Sequence, residues 1–206
     1  MRVYAESNFV LELVLEQEQH SACEELVQRA ERGDIELSLP AFCLFEPITT
    51  LHRRQLDRRE LHDRLQRELT QIARTRAFAE EVSASSLPAL LVRSTQEAAT
   101  KFDTVFERLL RVARVMPLTA DVLADARHTQ RTFGLSLPDA IVLASVLGDL
   151  ATFPMPSCFL NRNTKDFDDP AIVSALSACD CKMLGSFETG LQYASAPRGV
   201  APKPSA

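Results

Sequence analysis

The chain has no tryptophan, and aromatic residues make up only 6% of its 206 positions. Stacking platforms for single-stranded nucleic acid are therefore poorly supplied. It also lacks a basic surplus: 23 Lys and Arg stand against 28 Asp and Glu, a formal net charge of −5. Any nucleic-acid surface must be local. No apolar run reaches the length of a membrane-spanning helix. The first apolar stretch is interrupted by Glu6 and Glu12 and carries no cleavage pattern, so no signal peptide is expected. The five cysteines are odd in number and irregularly spaced, which argues against a disulfide framework and for a reducing compartment. Cys179-Asp180-Cys181 is not the C-x-x-C spacing of a zinc ribbon, and no second pair completes it. The four histidines sit in charged helical patterns and read as surface residues. There is no Gly-rich phosphate loop and no internal repeat. What remains is a globular composition, 46% hydrophobic and 25% charged. That suits one domain with a sizeable core, expected to be soluble and cytoplasmic.

The opening stretch, MRVYAESNFVLELVL, reads as a strand over Arg2 to Ala5, then Glu6-Ser7-Asn8, then a helix. Helical patterns follow over Phe9 to Leu15 and Cys23 to Ala30, with a break near Glu16 to Gln19. Ile35, Leu37 and Leu39 alternate with polar residues and predict a second strand, ended by Pro40. Ala41 to Leu51 is an apolar helix. Arg53 to Arg76 is a charged helix whose buried stripe is expected at Leu61, Leu65, Leu69 and Ile72. Ser83 to Ser94 reads as a loop, with Ser94 or Thr95 capping the next helix and Glu97 completing a capping box. Phe102, Phe106, Leu109, Ala113 and Met116 form its core stripe. Thr119 caps a helix that stops at Gly134, and Ala140 to Leu147 is apolar all round, as a deeply buried helix should be. Pro156 to Leu160 is a strand followed by a polar loop. A short helix over Ala171 to Ala178, a strand over Lys182 to Leu184 and a short helix over Ser186 to Tyr193 come next. The Pro-, Ala- and Ser-rich tail over 195–206 is expected to be disordered.

Four acidic positions stand out, each with two readings. Glu6 ends the first strand, where an α/β sheet can hold a metal ion. Alternatively, Ser7 or Asn8 caps the helix and Glu6 is solvated. Glu46 is the lone charge in an apolar helix, which demands either a cation or an arginine partner. Asp139 opens a buried helix and either faces a site or serves only as a cap opposite Ser136. Asp166 lies in the crowded loop after the SCFL strand, where Asp169 and Pro170 fit a helix start. Eight arginines over 53–76 stand against four acids. They form either a face laced with ion pairs or a surface that tracks phosphates. Strand ends and helix starts of a parallel sheet gather on one edge. Several carboxylates brought together there repel one another unless a cation neutralises them. Mg²⁺ or Mn²⁺ suits such oxygen ligands.

In this order the residues resemble the PIN domain family of metal-dependent nucleases. Glu6-Ser7-Asn8 matches its first strand end, which is usually Asp-Thr/Ser-Asn. Glu46 matches its helical Glu, LSLPDAIVLAS its Asp-Ala helix at Asp139, and LNRNTKDF its last loop with Asn163, Asp166 and Phe167. The resemblance covers roughly Met1 to Leu184. Glu6 stands where the family has Asp, Pro47 follows Glu46, and the segment between Glu46 and Asp139 is longer than in compact members.

The resemblance implies a three-layer α/β/α sandwich with a short, mostly parallel sheet. It implies a single domain over 1–194 with a helical insertion around 53–116. The implied function is Mg²⁺- or Mn²⁺-dependent endoribonuclease activity, as in the toxin of a toxin–antitoxin pair. Glu6, Glu46, Asp139 and Asp166 are the implied metal and catalytic residues. Asn8 would hold the first carboxylate, and Asn163 or Asp166 would fill the fourth position. Arg53, Arg54 and Arg58 are candidates for substrate phosphates. The implied partners are RNA, a protein inhibitor and a second copy of the chain. The rival readings are a catalytically weak PIN-like module that binds RNA or protein, and a hydrolase of small phosphate esters.

Overall fold

The computed structural model describes residues 1–83, 86–163 and 167–196. The expected tail lies, from residue 197 on, outside the described residues. Five strands, β1 (Arg2–Ala5), β2 (Glu36–Pro40), β3 (Arg114–Met116), β4 (Ser157–Leu160) and β5 (Cys181–Leu184), form one sheet. Its order is β3-β2-β1-β4-β5, and every pairing is parallel. The helices are α1 (Ser7–Leu15), α2 (His20–Glu31), α3 (Ala41–Ile72), α4 (Ala79–Ser83), α5 (Leu87–Val112), α6 (Ala120–Phe133), α7 (Leu137–Thr152), α8 (Pro170–Ala178) and α9 (Phe187–Ser195).

Both faces of the sheet are covered, and this explains why the central strands are apolar almost throughout. Val3, Ala5, Cys158 and Leu160 point into a core closed by α1, α2, α5 and α9. Tyr4 and Phe159 point the other way, into a core closed by α6, α7 and α8. The architecture is thus an α/β/α sandwich with an all-parallel sheet. No single helix among the described residues is long and apolar enough to cross a membrane.

Several sequence expectations need correction. Ala41 to Leu51 and the charged stretch after it are one continuous helix, α3, with Pro47 inside it. Arg74 and Arg76 lie beyond its end. Its expected buried stripe is not buried: Leu61 is 51% and Ile72 43% exposed. Buried residues of α3 are confined to its first turns, at Cys43, Leu44 and Pro47, where it packs on the body. Leu87 to Ser94 is not a loop, because α5 already begins at Leu87. Ser94 and Thr95 are therefore interior residues whose hydroxyls donate to the Leu91 carbonyl, not caps. The stripe ending at Met116 is split, since α5 stops at Val112 and Arg114–Met116 is the edge strand β3.

A buried ion network fastens the amino-terminal side of the sheet. Asp149, on α7, accepts from Arg2 Nη1 at 3.0 Å, Tyr4 Oη at 2.7 Å and Arg114 Nη1 at 2.8 Å. Arg2 also donates Nε to Glu36 at 2.8 Å. Strands β1, β2 and β3 are thereby tied to one helix. Burial alone would raise the Asp149 carboxyl, but hydrogen bonds from Arg114 and Tyr4 and the nearby Arg charges outweigh it and hold it below the usual range. A carboxylate with a depressed folded pKa contributes stability above its unfolded value and loses it as pH falls through the folded one. Asp149→Asn should therefore cost about 3 kcal/mol at neutral pH, as breaking a buried pair does. Urea titrations should show the gap from wild type beginning to narrow below about pH 4, where the unfolded-state carboxylate takes up its proton, and closing further as pH falls through the lower native value. A gap that stays constant at low pH would show that the charge of Asp149 is not what Arg2 and Arg114 require.

Candidate metal centre

Strand order turns back on itself between β1 and β4, and ligands of such sheets bind beyond the carboxyl ends at that point. A cleft of about 450 Å³ opens there, lined by Glu6, Ser7, Asn8, Leu11, Glu46, Thr50, Arg54, Asp139, Arg162 and Asn163. The acids at 6, 46 and 139 come from α1's cap, α3 and α7, elements far apart in sequence. Each is placed by a local feature.

Glu6 follows β1 directly and is itself the N-cap of α1. Its Oε2 accepts from the Asn8 backbone N–H at 3.0 Å and from Asn8 Nδ2 at 3.1 Å. Its Oε1 accepts from the Arg162 backbone N–H at 3.1 Å. The reading in which Ser7 or Asn8 caps the helix and Glu6 is solvated does not hold, since the side chain is buried. Burial raises its pKa and the nearby Glu46 charge adds to this, while the Asn8 and Arg162 hydrogen bonds pull the other way.

Glu46 lies in α3 and is half-buried. Its Oε2 accepts a short hydrogen bond from the Ser7 hydroxyl at the start of α1. Among the described residues no arginine pairs with it, so the ion-pair reading of this residue lacks a partner. Asp139 sits in the first turn of α7, beneath the Ser136 cap. Ser136 Oγ donates to Asp139 Oδ2 at 2.5 Å and accepts from the Asp139 N–H at 3.3 Å. The cap is real, and the same side chain lines the cleft.

Asn163 lines the cleft too, while Asp166 lies outside the described residues. The three candidate arginines separate: Arg54 lines the cleft, Arg53 is exposed elsewhere on α3, and Arg58 lines neighbouring hollows.

Sequence reasoning missed Arg162. Its backbone holds Glu6, and its guanidinium pairs with Glu12 and, at 2.9 Å, with Glu18. Glu12 is buried in the apolar α1, and its Oε2 also accepts from the Gln19 N–H at 2.9 Å. The signal was available: a lone acid in an apolar helix needs a partner, and that logic applies to Glu12 as well as to Glu46.

The donor set suits a hard divalent cation. Carboxylates and amide oxygen line the cleft, with no thiol or imidazole among the described lining residues. Among the described residues, no three Asp, Glu, His or Cys side chains stand close enough together to hold a metal ion between them. Mg²⁺ does not need such a cluster, because it binds through one or two carboxylates and keeps several waters. Glu6 Oε1 accepts a single hydrogen bond among the described residues, which leaves a lone pair for a cation.

Arg162→Ala should destabilise the fold by about 2 kcal/mol, because it leaves the buried Glu12 carboxylate without its cation. Adding Glu12→Gln should recover most of that loss in thermal melts. If the double variant is no more stable than the single one, the unpaired Glu12 carboxylate is not the source of the cost.

A family model described as PIN domain matches residues 3–167. Comparison with curated proteins and with solved structures gave no match.

Proposed function

The chain belongs to the PIN domain family, whose members are generally nucleases that use divalent metal ions, and we propose that it is a metal-dependent endoribonuclease. The observation that carries this reading is the convergence of Glu6, Glu46 and Asp139 on one cleft at the switch point of the sheet.

In this reading a Mg²⁺ or Mn²⁺ ion would be held in the cleft that Glu6, Glu46 and Asp139 line, through one or two of these carboxylates directly and through water to the rest. When bound, the ion neutralises the carboxylates and stabilises charge developing on a phosphodiester. Asn8 positions Glu6 through two donors, which would hold the carboxylate in place for such an ion. Ser7 does the same for Glu46, and Ser136 for Asp139. Arg54 binds a substrate phosphate, and Arg suits that task because its planar fork matches phosphate oxygens. Asp166 takes the role the family pattern gives it, completing the acidic set or orienting the attacking water. The toxin role, with a protein inhibitor as partner, follows from the same family pattern and belongs to this proposal.

The test is cleavage of a mixed RNA pool in Mg²⁺, Mn²⁺ or EDTA, with wild type beside Asp139→Asn. Cleavage should need the metal. The Asn variant should lose at least about 100-fold, since even residues behind metal ligands are worth 10–100-fold in such sites. Because asparagine still accepts at a helix start, Asp139→Asn should melt within about 1 kcal/mol of wild type. RNA binding by a folded wild type that cleaves nothing in any metal would instead favour the binding-module reading. Equal cleavage by both proteins would leave Asp139 as a cap alone.

A further inference from the structure

The cleft does not end at the acids. Arg54 lines it, and Arg54 with Arg58 also lines an adjoining hollow of about 300 Å³ between the end of α1 and α5. Both arginines line a second hollow of about 220 Å³ between α3 and α5. Arg58 continues into a third, of about 370 Å³, together with Arg59 and His62. Shared lining residues place these four spaces side by side, and together they mark a path along α3. Arg54, Arg58 and His62 recur at i, i+4 and i+8, so they share one face of α3. All are half-buried, so they face the α5 side and not open solvent.

Two further observations bear on what the path takes. Arg54, Arg58 and Arg59 form no ion pair among the described residues, although acids stand near them in sequence. Of the acids that line the hollows beyond the cleft, Glu16 is paired with Lys101 at 2.7 Å and Glu97 with Arg93 at 3.8 Å, Asp63 lies 3.2 Å from His62, and Asp103 lines the same hollow as Arg54 and Arg58 without pairing with either. The path therefore offers guanidinium groups without an ion-pair partner among the described residues, in a chain that is acidic as a whole. Eight residues of helix span about 12 Å, which matches a few successive phosphates of an extended strand. The hollows are near or below the lower end of the range of small-molecule sites, about 300 Å³, and are too small for a duplex.

We propose that single-stranded RNA runs from the acidic cleft outward along α3, its phosphates held by Arg54 and Arg58 and its path continuing past His62. This rests on the nuclease reading for the position of the scissile bond. It adds that the substrate must extend several nucleotides to one side of that bond.

The experiment is binding of a short unstructured RNA oligonucleotide in EDTA, measured by fluorescence anisotropy across a salt series. Each phosphate contact on a single strand contributes about 0.7 to the slope of log affinity against log salt. Arg54→Ala/Arg58→Ala should flatten the slope by about 1.4. Arg64→Ala/Arg67→Ala, which removes equal charge from exposed positions of the same helix, should leave it unchanged. Equal flattening by both pairs, no flattening by either, or no binding by wild type overturns the path. A duplex that binds as tightly, with the same dependence on Arg54 and Arg58, overturns the single-strand assignment. Cleavage separates the two proposals. A cleaving wild type whose KM for long RNA is unaffected by Arg54→Ala/Arg58→Ala removes the path and keeps the nuclease. The expected salt slopes without cleavage in Mg²⁺ or Mn²⁺ keep the path and remove the nuclease.

Discussion

The position of Asp149 governs much of this structure. Its carboxylate is the shared acceptor of Arg2, Tyr4 and Arg114, so it joins α7 to β1 and β3 and, through Arg2 and Glu36, to β2. A buried charge of this kind does little for net stability compared with a well-packed apolar alternative. What it fixes is register: only one placement of α7 against the strands satisfies all of these donors. Asp139 lies ten residues earlier on the same helix, about 15 Å along its axis. The acid at the cleft end of α7 thus takes its position from the acid at the other end. Rigid support of this kind is what a site requires if its groups are to converge without loops doing the placing.

The cleft follows the same logic at a smaller scale. Glu6, Glu46 and Asp139 each accept a hydrogen bond from a nearby serine or from main-chain and side-chain amides. None is held by a cationic side chain within the described residues. Donors that are neutral fix orientation and leave the negative charge uncancelled, so the cleft keeps its attraction for a cation. Arg162, beside Glu6, directs its guanidinium away, toward Glu12 and Glu18, and gives Glu6 only its backbone N–H.

Much of the fold was legible in the sequence because both faces of the sheet are covered. Buried strands and the all-apolar α7 leave an unambiguous pattern, and Thr119, Ser136, Gly134 and Asp169 mark helix ends by chemistry that needs no tertiary context. The errors have a common cause. Pro47 and the Ser-rich stretch before Leu87 look like breaks, yet α3 runs on through Pro47 and α5 starts early. The Leu61 to Ile72 stripe has the period of a buried face, but periodicity cannot say whether anything lies opposite it. β3 is three residues long, too short for alternation to register. At the site, acids in odd surroundings were visible one by one. The ion partners were not: Arg2 with Asp149 is separated by 147 positions and Arg162 with Glu12 by 150, and no local rule links such pairs.

The continuity of α3 has a mechanical consequence. Glu46 and Ile72 are on one uninterrupted helix, 26 residues or about 39 Å apart, and the buried residues of that helix lie at its base. Beyond that base α3 runs along α5, with residues of the two helices facing the same hollows as far as His62. The carboxylate of Glu46 thus stands on the same rigid rod that carries the helix pair, and the two helices together form a single strut reaching out from the cleft.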